Sequence, residues 1–134
     1  MRARVEFTER PLEREIKTVG NVAHIYVREN IEEIQRDEGV AYTAIEYSVD
    51  VKASDKLVMS ERLADEVIAY ETAKESKRVR ALRNQLLAES DCYMVPDRPE
   101  SKAVINEWKV YREALRDLPE QEGFPFDVVF PQKP

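Results

Sequence analysis

Arg83-Asn84-Gln85-Leu86-Leu87-Ala88-Glu89-Ser90-Asp91 leads through Val95-Pro96-Asp97-Arg98-Pro99 to Trp108. Tyr111-Arg112-Glu113-Ala114-Leu115-Arg116-Asp117-Leu118-Pro119 follows, and the chain closes on Phe124-Pro125-Phe126-Asp127-Val128-Val129-Phe130-Pro131. Two helical patterns are punctuated by prolines, which cannot continue a helix. After them comes an apolar, aromatic tail that no helix absorbs. Such a tail is adhesive surface. It docks on its own chain or on a partner, and the sequence leaves both open.

Working back from the tail, Val104, Trp108, Tyr111, Leu115 and Leu118 repeat at 4-3-4-3 spacing. That spacing gives a narrow apolar seam on a helix running from about Pro99 to Asp117. Pro99 suits the first helical position, and Pro119 disfavours helical geometry at Leu118. Residues 91–98 read as a loop. This helix and the one ending near Glu89 are expected to pack as a helical hairpin.

Residues 55–90 read as helix. Ser60 is a candidate N-cap, with Glu61 at the positive end of the helix dipole. Leu63, Val67 and Tyr70 begin an apolar stripe that lapses over Thr72 to Lys77 and returns at Val79, Leu82 and Leu86. No Gly or Pro interrupts it, so one continuous helix is expected. An interrupted stripe also suits pairing with a second chain, so a homo-oligomer is possible.

Residues 1–54 read as β. Ala3-Arg4-Val5-Glu6-Phe7 alternates with the period of a half-buried strand. Ala23, Ile25, Val27 and Ile31 share a face, as do Ile45, Tyr47, Val49 and Val51 beyond a turn at Arg36-Asp37-Glu38-Gly39. Centring that turn on Glu38 pairs Ile31 with Ile45, Val27 with Val49 and Ile25 with Val51. A two-stranded hairpin over 22–51 is not stable alone in water. It needs the N-terminal strand, a helix or a second subunit. The fold class is therefore α+β: a small antiparallel N-terminal sheet (1–54), a long helix (55–90), then a C-terminal helix and aromatic tail (91–134).

The chain has 134 residues, enough for one ordinary domain, and 43% hydrophobic content, enough for a core. Formal net charge is −6, which argues against binding a phosphate backbone. Lys77, Arg78, Arg80 and Arg83 cluster, but Glu71, Glu75 and Glu89 flank them, as on a solvated helical face. The single cysteine, Cys92, allows no intrachain disulfide and reads as a buried thiol. The N-terminal residues do not resemble a signal peptide, and no apolar run approaches the ~18 residues of a membrane helix. A cytoplasmic setting is expected, with neither nucleic acid nor membrane as partner.

Catalytic chemistry is thinly supplied. The one histidine, His24, lies on the strand face opposite Ile25 and Val27. It has no second His or Cys nearby to share a metal. Three glycines cannot build a phosphate-cradling loop. The pairs Glu32-Glu33, Asp37-Glu38 and Asp65-Glu66 diverge on any regular element. The expectation is no enzyme, no catalytic residue, no metal and no cofactor. The candidate protein-binding residues are Trp108, Tyr111, Phe124, Phe126, Val128 and Phe130. In an extended tail Phe126, Val128 and Phe130 share one face.

The C-terminal pieces quoted above, together with Gly123-Phe124-Pro125 and Val128-Val129-Phe130-Pro131, resemble bacteriophage tail assembly chaperones, including tail-fibre assembly proteins. The likeness spans about 83–134. Arg112, Leu115, Arg116, Leu118 and Pro119 match the family's pattern. Cys92 stands where the family usually has an aromatic residue, and Phe126 and Phe130 where tryptophan is common. Val27-Arg28-Glu29-Asn30-Ile31-Glu32-Glu33 also looks like N-terminal regions of such phage proteins. The resemblance implies a non-enzymatic accessory protein in the host bacterial cytoplasm that binds a tail or tail-fibre polypeptide and keeps its apolar surface from aggregating. A minor tail or baseplate component of the virion is the alternative.

Overall fold

The computed structural model describes residues 1–55, 58 and 62–134. The proposed cap Ser60 and its neighbour Glu61 lie outside the described residues. The chain divides into two compact units, Met1–Glu71 and Thr72–Pro134.

The first unit holds a four-stranded antiparallel sheet: β1 (Arg2–Phe7), β2 (Arg14–Val19), β3 (Val22–Arg36) and β4 (Gly39–Lys52), in the order β1-β4-β3-β2. The long β3–β4 hairpin is the centre, and β1 and β2 flank it. The expected hairpin thus finds its support within the chain. β2 was not expected. Its Arg14-Glu15-Ile16-Lys17-Thr18-Val19 offers little apolar alternation because it is an edge strand, mostly exposed.

The register differs from the expected one. Ile25 pairs with Val49 and Val27 with Tyr47, a slip of two residues from the Glu38-centred pairing. Arg36 pairs with Gly39 across a two-residue turn, and the register shifts by one between Glu29 and Glu32. Asn30 there adopts φ 51°, a left-handed conformation Asn tolerates better than most residues. This is a β-bulge, one extra residue on β3. An even slip keeps every side chain on its expected face up to Glu29. Beyond the bulge the parity inverts, and Ile34, opposite Ala41, joins the face of Ile25 and Val27. Gly39 closes the turn at φ 133°, where a side chain would be strained.

Ala23, Ile25, Val27, Ala41, Ala44, Tyr47, Leu63 and Val67 are the buried apolar residues of this unit. The start of α1 (Leu63–Glu89) belongs to it, and the terminal ammonium of Met1 is 2.7 Å from Glu71. The opposite sheet face carries a buried charge. Arg28 is only 6% exposed. It donates to Glu46 at 2.8 Å, to Glu15 at 3.0 Å and to the Leu12 carbonyl at 3.0 Å. Its guanidinium lies over Phe7 and Tyr26, 5.0 and 5.4 Å from the ring centres. Lys17 and then Arg28 hold the Glu15 carboxyl below the usual carboxylate range by hydrogen bonding.

In the second unit α1 runs on without a break, as the absence of Gly and Pro predicts. A short 3-10 turn, Asp91–Met94, follows it, then α2 (Lys102–Arg116). α2 does not begin at Pro99. Ser101 is its cap, its hydroxyl accepting from the Val104 N–H at 3.4 Å. Trp108, Tyr111, Leu115 and Leu118 form the core of this unit, as the seam predicts. Leu86 and Leu87 of α1 pack against it, with Tyr93, Met94 and Val104.

Candidate protein-binding site

The aromatic residues singled out in the sequence converge on the second unit. Trp108 is 5% exposed. Tyr93 stacks on it with ring centres 3.7 Å apart, and Tyr111 meets it edge-on at 5.7 Å. Arg98 caps this pile 4.3 Å from the Tyr93 ring centre. Arg98 also donates to the Cys92 carbonyl at 2.9 Å and to both oxygens of Glu100 at 2.7 and 2.6 Å. The proline loop is therefore fastened at its centre. The hydrogen bonds from Arg98 hold the Glu100 carboxyl below the usual carboxylate range. Because the folded value is lowered, this contribution is complete above the ordinary carboxylate range and is lost as pH falls through the lowered value. An NMR titration is expected to show Glu100 titrating low in the native protein and normally in Arg98→Met.

The tail lies over the same core. Val128 and Phe130 pack against it, half-buried. Val129 between them is 75% exposed. The expected alternation is thus present, but it starts at Val128. Residues 122–126 form turns, and Phe126 sits half-buried within them. Phe124 lies under the Arg80 guanidinium at 5.3 Å, and Pro125 is buried. Gln121 clips the tail like a neighbouring strand: its amide donates to the Val129 carbonyl at 2.9 Å and accepts from the Val129 N–H at 2.8 Å. Gly123 makes the tight return possible, because a Cβ there would run into the Asp127 carbonyl.

Two residues fasten this unit that sequence reasoning gave no role. Arg112 is 9% exposed. It donates to the Leu87 carbonyl at 2.7 Å and the Ser90 hydroxyl at 2.6 Å, and pairs with Asp91 at 2.8 Å. A cation thus closes the carbonyl end of α1, where the helix dipole is negative. Ser90, 1% exposed, is its buried partner. In the sequence Arg112 stood out only as a match to the family's pattern. Arg112→Ala is expected to cost about 2–3 kcal/mol, from the loss of its charge-assisted bonds to the Leu87 carbonyl, the Ser90 hydroxyl and Asp91. Arg112→Lys should recover only part, since an ammonium lacks the planar fork. Urea unfolding followed by Trp108 fluorescence measures both.

Cys92 is not buried. It is exposed, its thiol 3.6 Å from the Glu89 carbonyl, because the 3-10 turn directs Tyr93 and Met94 to the core instead. His24 lies far from any such cluster in sequence and pairs across strands with Asp50 at 2.7 Å. Among the described residues no group of three or more His, Cys, Asp or Glu is placed to hold a metal ion. No helix among them is long and apolar enough to cross a membrane.

Beside the tail runs an open groove of about 410 Å³. Val110, Tyr111 and Ala114 of α2 line one wall, and Pro131 and Pro134 the other. Val110 is 59% exposed, the one large apolar residue of α2 turned to solvent.

No curated protein and no solved structure matches the chain. Residues 76–134, the C-terminal region, match the family model described as phage tail assembly chaperone protein.

Proposed function

We propose that this protein is a phage tail assembly chaperone that binds a tail or tail-fibre polypeptide in the host bacterial cytoplasm and shields its apolar surface until assembly. The observation that carries this reading is the coincidence of the family match with the groove beside α2 and the tail. Tyr111 lines the groove, and Trp108 packs beside it in the core of the unit. Phe124, Phe126, Val128 and Phe130 shape the tail that forms its wall, and Val110 and Val129 offer exposed apolar contact. Exposed apolar residues beside a groove are what a reversible holder of polypeptide needs.

The test is co-expression with each tail polypeptide of the phage whose genome encodes the chain. One of them is expected to move from the insoluble to the soluble fraction and to co-purify. Val110→Asp with Val129→Asp is expected to lose that effect while circular dichroism stays unchanged. Presence of the protein in purified virions at a fixed copy number, with no effect on solubility, would favour the structural tail component instead.

A further inference from the structure

A second surface of α2 carries a charge pattern the apolar reading does not use. Lys102, Lys109 and Arg116 follow one another at intervals of seven. On a helix this spacing drifts only ~20° per step, so the three cations form one stripe about 21 Å long. They line two adjoining hollows of about 420 and 440 Å³ that share Lys109 and Met94. Tyr93, Met94, Val95, Pro96 and Ile105 give the first an apolar floor. Arg112 and Glu113 complete the second.

The stripe is available. Arg78 is paired with Glu75, Arg98 with Glu100, Arg112 with Asp91 and Lys133 with Glu89. Lys102, Lys109 and Arg116 make no ion pair with any described residue. Glu113 is the single carboxylate among the lining residues. Unpaired cations in register beside apolar surface leave charge and greasy area unsatisfied together. A phosphate backbone would use the charge and waste the apolar floor, and the whole protein carries −6.

We infer that this groove docks an amphipathic helical segment of the client that carries Asp or Glu at seven-residue intervals next to an apolar stripe. The inference rests on the chaperone reading for the source of the segment. Two helices with matched seven-residue repeats lie alongside one another over this length, charges at the flanks and apolar residues at the seam. Charge complementarity then selects the partner and its direction.

The experiment uses the full chain and a fluorescein-labelled synthetic helix of three heptads, with Glu at one position of each heptad and Leu beside it. A twin peptide carries Lys in place of Glu, and a labelled oligonucleotide is the third probe. Fluorescence anisotropy is expected to show binding of the Glu peptide only. Lys102→Glu/Lys109→Glu/Arg116→Glu, folded by circular dichroism, is expected to weaken that binding at least tenfold and to bind the Lys peptide instead. Equal binding of the two peptides, insensitivity to the triple reversal, or tighter binding of the oligonucleotide overturns the inference. The co-expression assay separates it from the chaperone reading. If the triple variant still solubilises the client, the groove assignment fails and the chaperone stands. If the unaltered protein solubilises nothing, the chaperone reading fails, and the charge swap between peptides still decides the groove.

Discussion

Trp108→Ala is expected to unfold the second unit at markedly lower urea, with a cost of about 3–5 kcal/mol. Three losses combine. The indole leaves a cavity in the core of Tyr111, Leu115 and Leu118. The stack with Tyr93 and the edge contact with Tyr111 disappear, worth about 0.5–1.5 kcal/mol per pair beyond area. Val128 and Phe130 lose part of the surface they rest on. A native domain has about 5–15 kcal/mol in total, so the variant sits near the edge of folding. Trp108→Phe keeps a ring on Tyr93 and should retain most of the stability. Circular dichroism is the readout, since Trp108 is the sole tryptophan. A cost under about 1 kcal/mol would mean the tail and helices hold together without this centre.

Arg28→Ala is the corresponding test of the sheet, with an expected cost of about 3 kcal/mol. The guanidinium is almost wholly buried, and its removal leaves Glu46 (side chain 15% exposed) without its cation and Glu15 (28% exposed) with Lys17 alone. These carboxylates keep some water, which places the cost at the low end for a broken buried pair. The Leu12 carbonyl loses its donor, and the Phe7 and Tyr26 rings lose the cation over them. Glu46→Leu combined with Arg28→Met should restore much of the loss, because apolar residues of like volume replace a buried ion pair at little net cost. Failure of that double variant to recover stability would assign Arg28 a role beyond charge balance.

The central hairpin and the α2 seam were legible because burial imprints a period. Ile25, Val27, Val49 and Val51 mark one sheet face, and Trp108, Tyr111, Leu115 and Leu118 one helix face, at spacings no loop imitates. What escaped the sequence has local or long-range causes. β2 is an edge strand whose Ile16 meets Ile25 across the ladder and whose Glu15 turns to Arg28, while its other residues are exposed, so its apolar alternation is weak. The bulge at Asn30 depends on one backbone angle, and its extra residue offsets the pairing beyond recovery from a turn-centred count. Ser101 outcompeted Pro99 as the start of α2 because its hydroxyl satisfies an amide that the proline cannot reach.

The candidate site was legible in its residue types and not in its geometry. The six residues singled out do gather in one unit. Yet the most exposed apolar contacts there, Val110 and Val129, are ordinary valines whose significance is exposure alone. Gln121 had no signal at all, since its two bonds to Val129 join residues eight apart through a turned segment. Arg112 was visible only as a family match, and its work depends on where α1 ends.

Aggregation of a tail polypeptide diluted from denaturant, followed by light scattering with and without this protein, tests the central claim most directly. The native chain is expected to suppress scattering at near-stoichiometric ratios and to elute with the polypeptide from a sizing column, and Val110→Asp/Val129→Asp to do neither. Unchanged scattering with every tail polypeptide tried, or equal suppression by the doubly substituted chain, would contradict it.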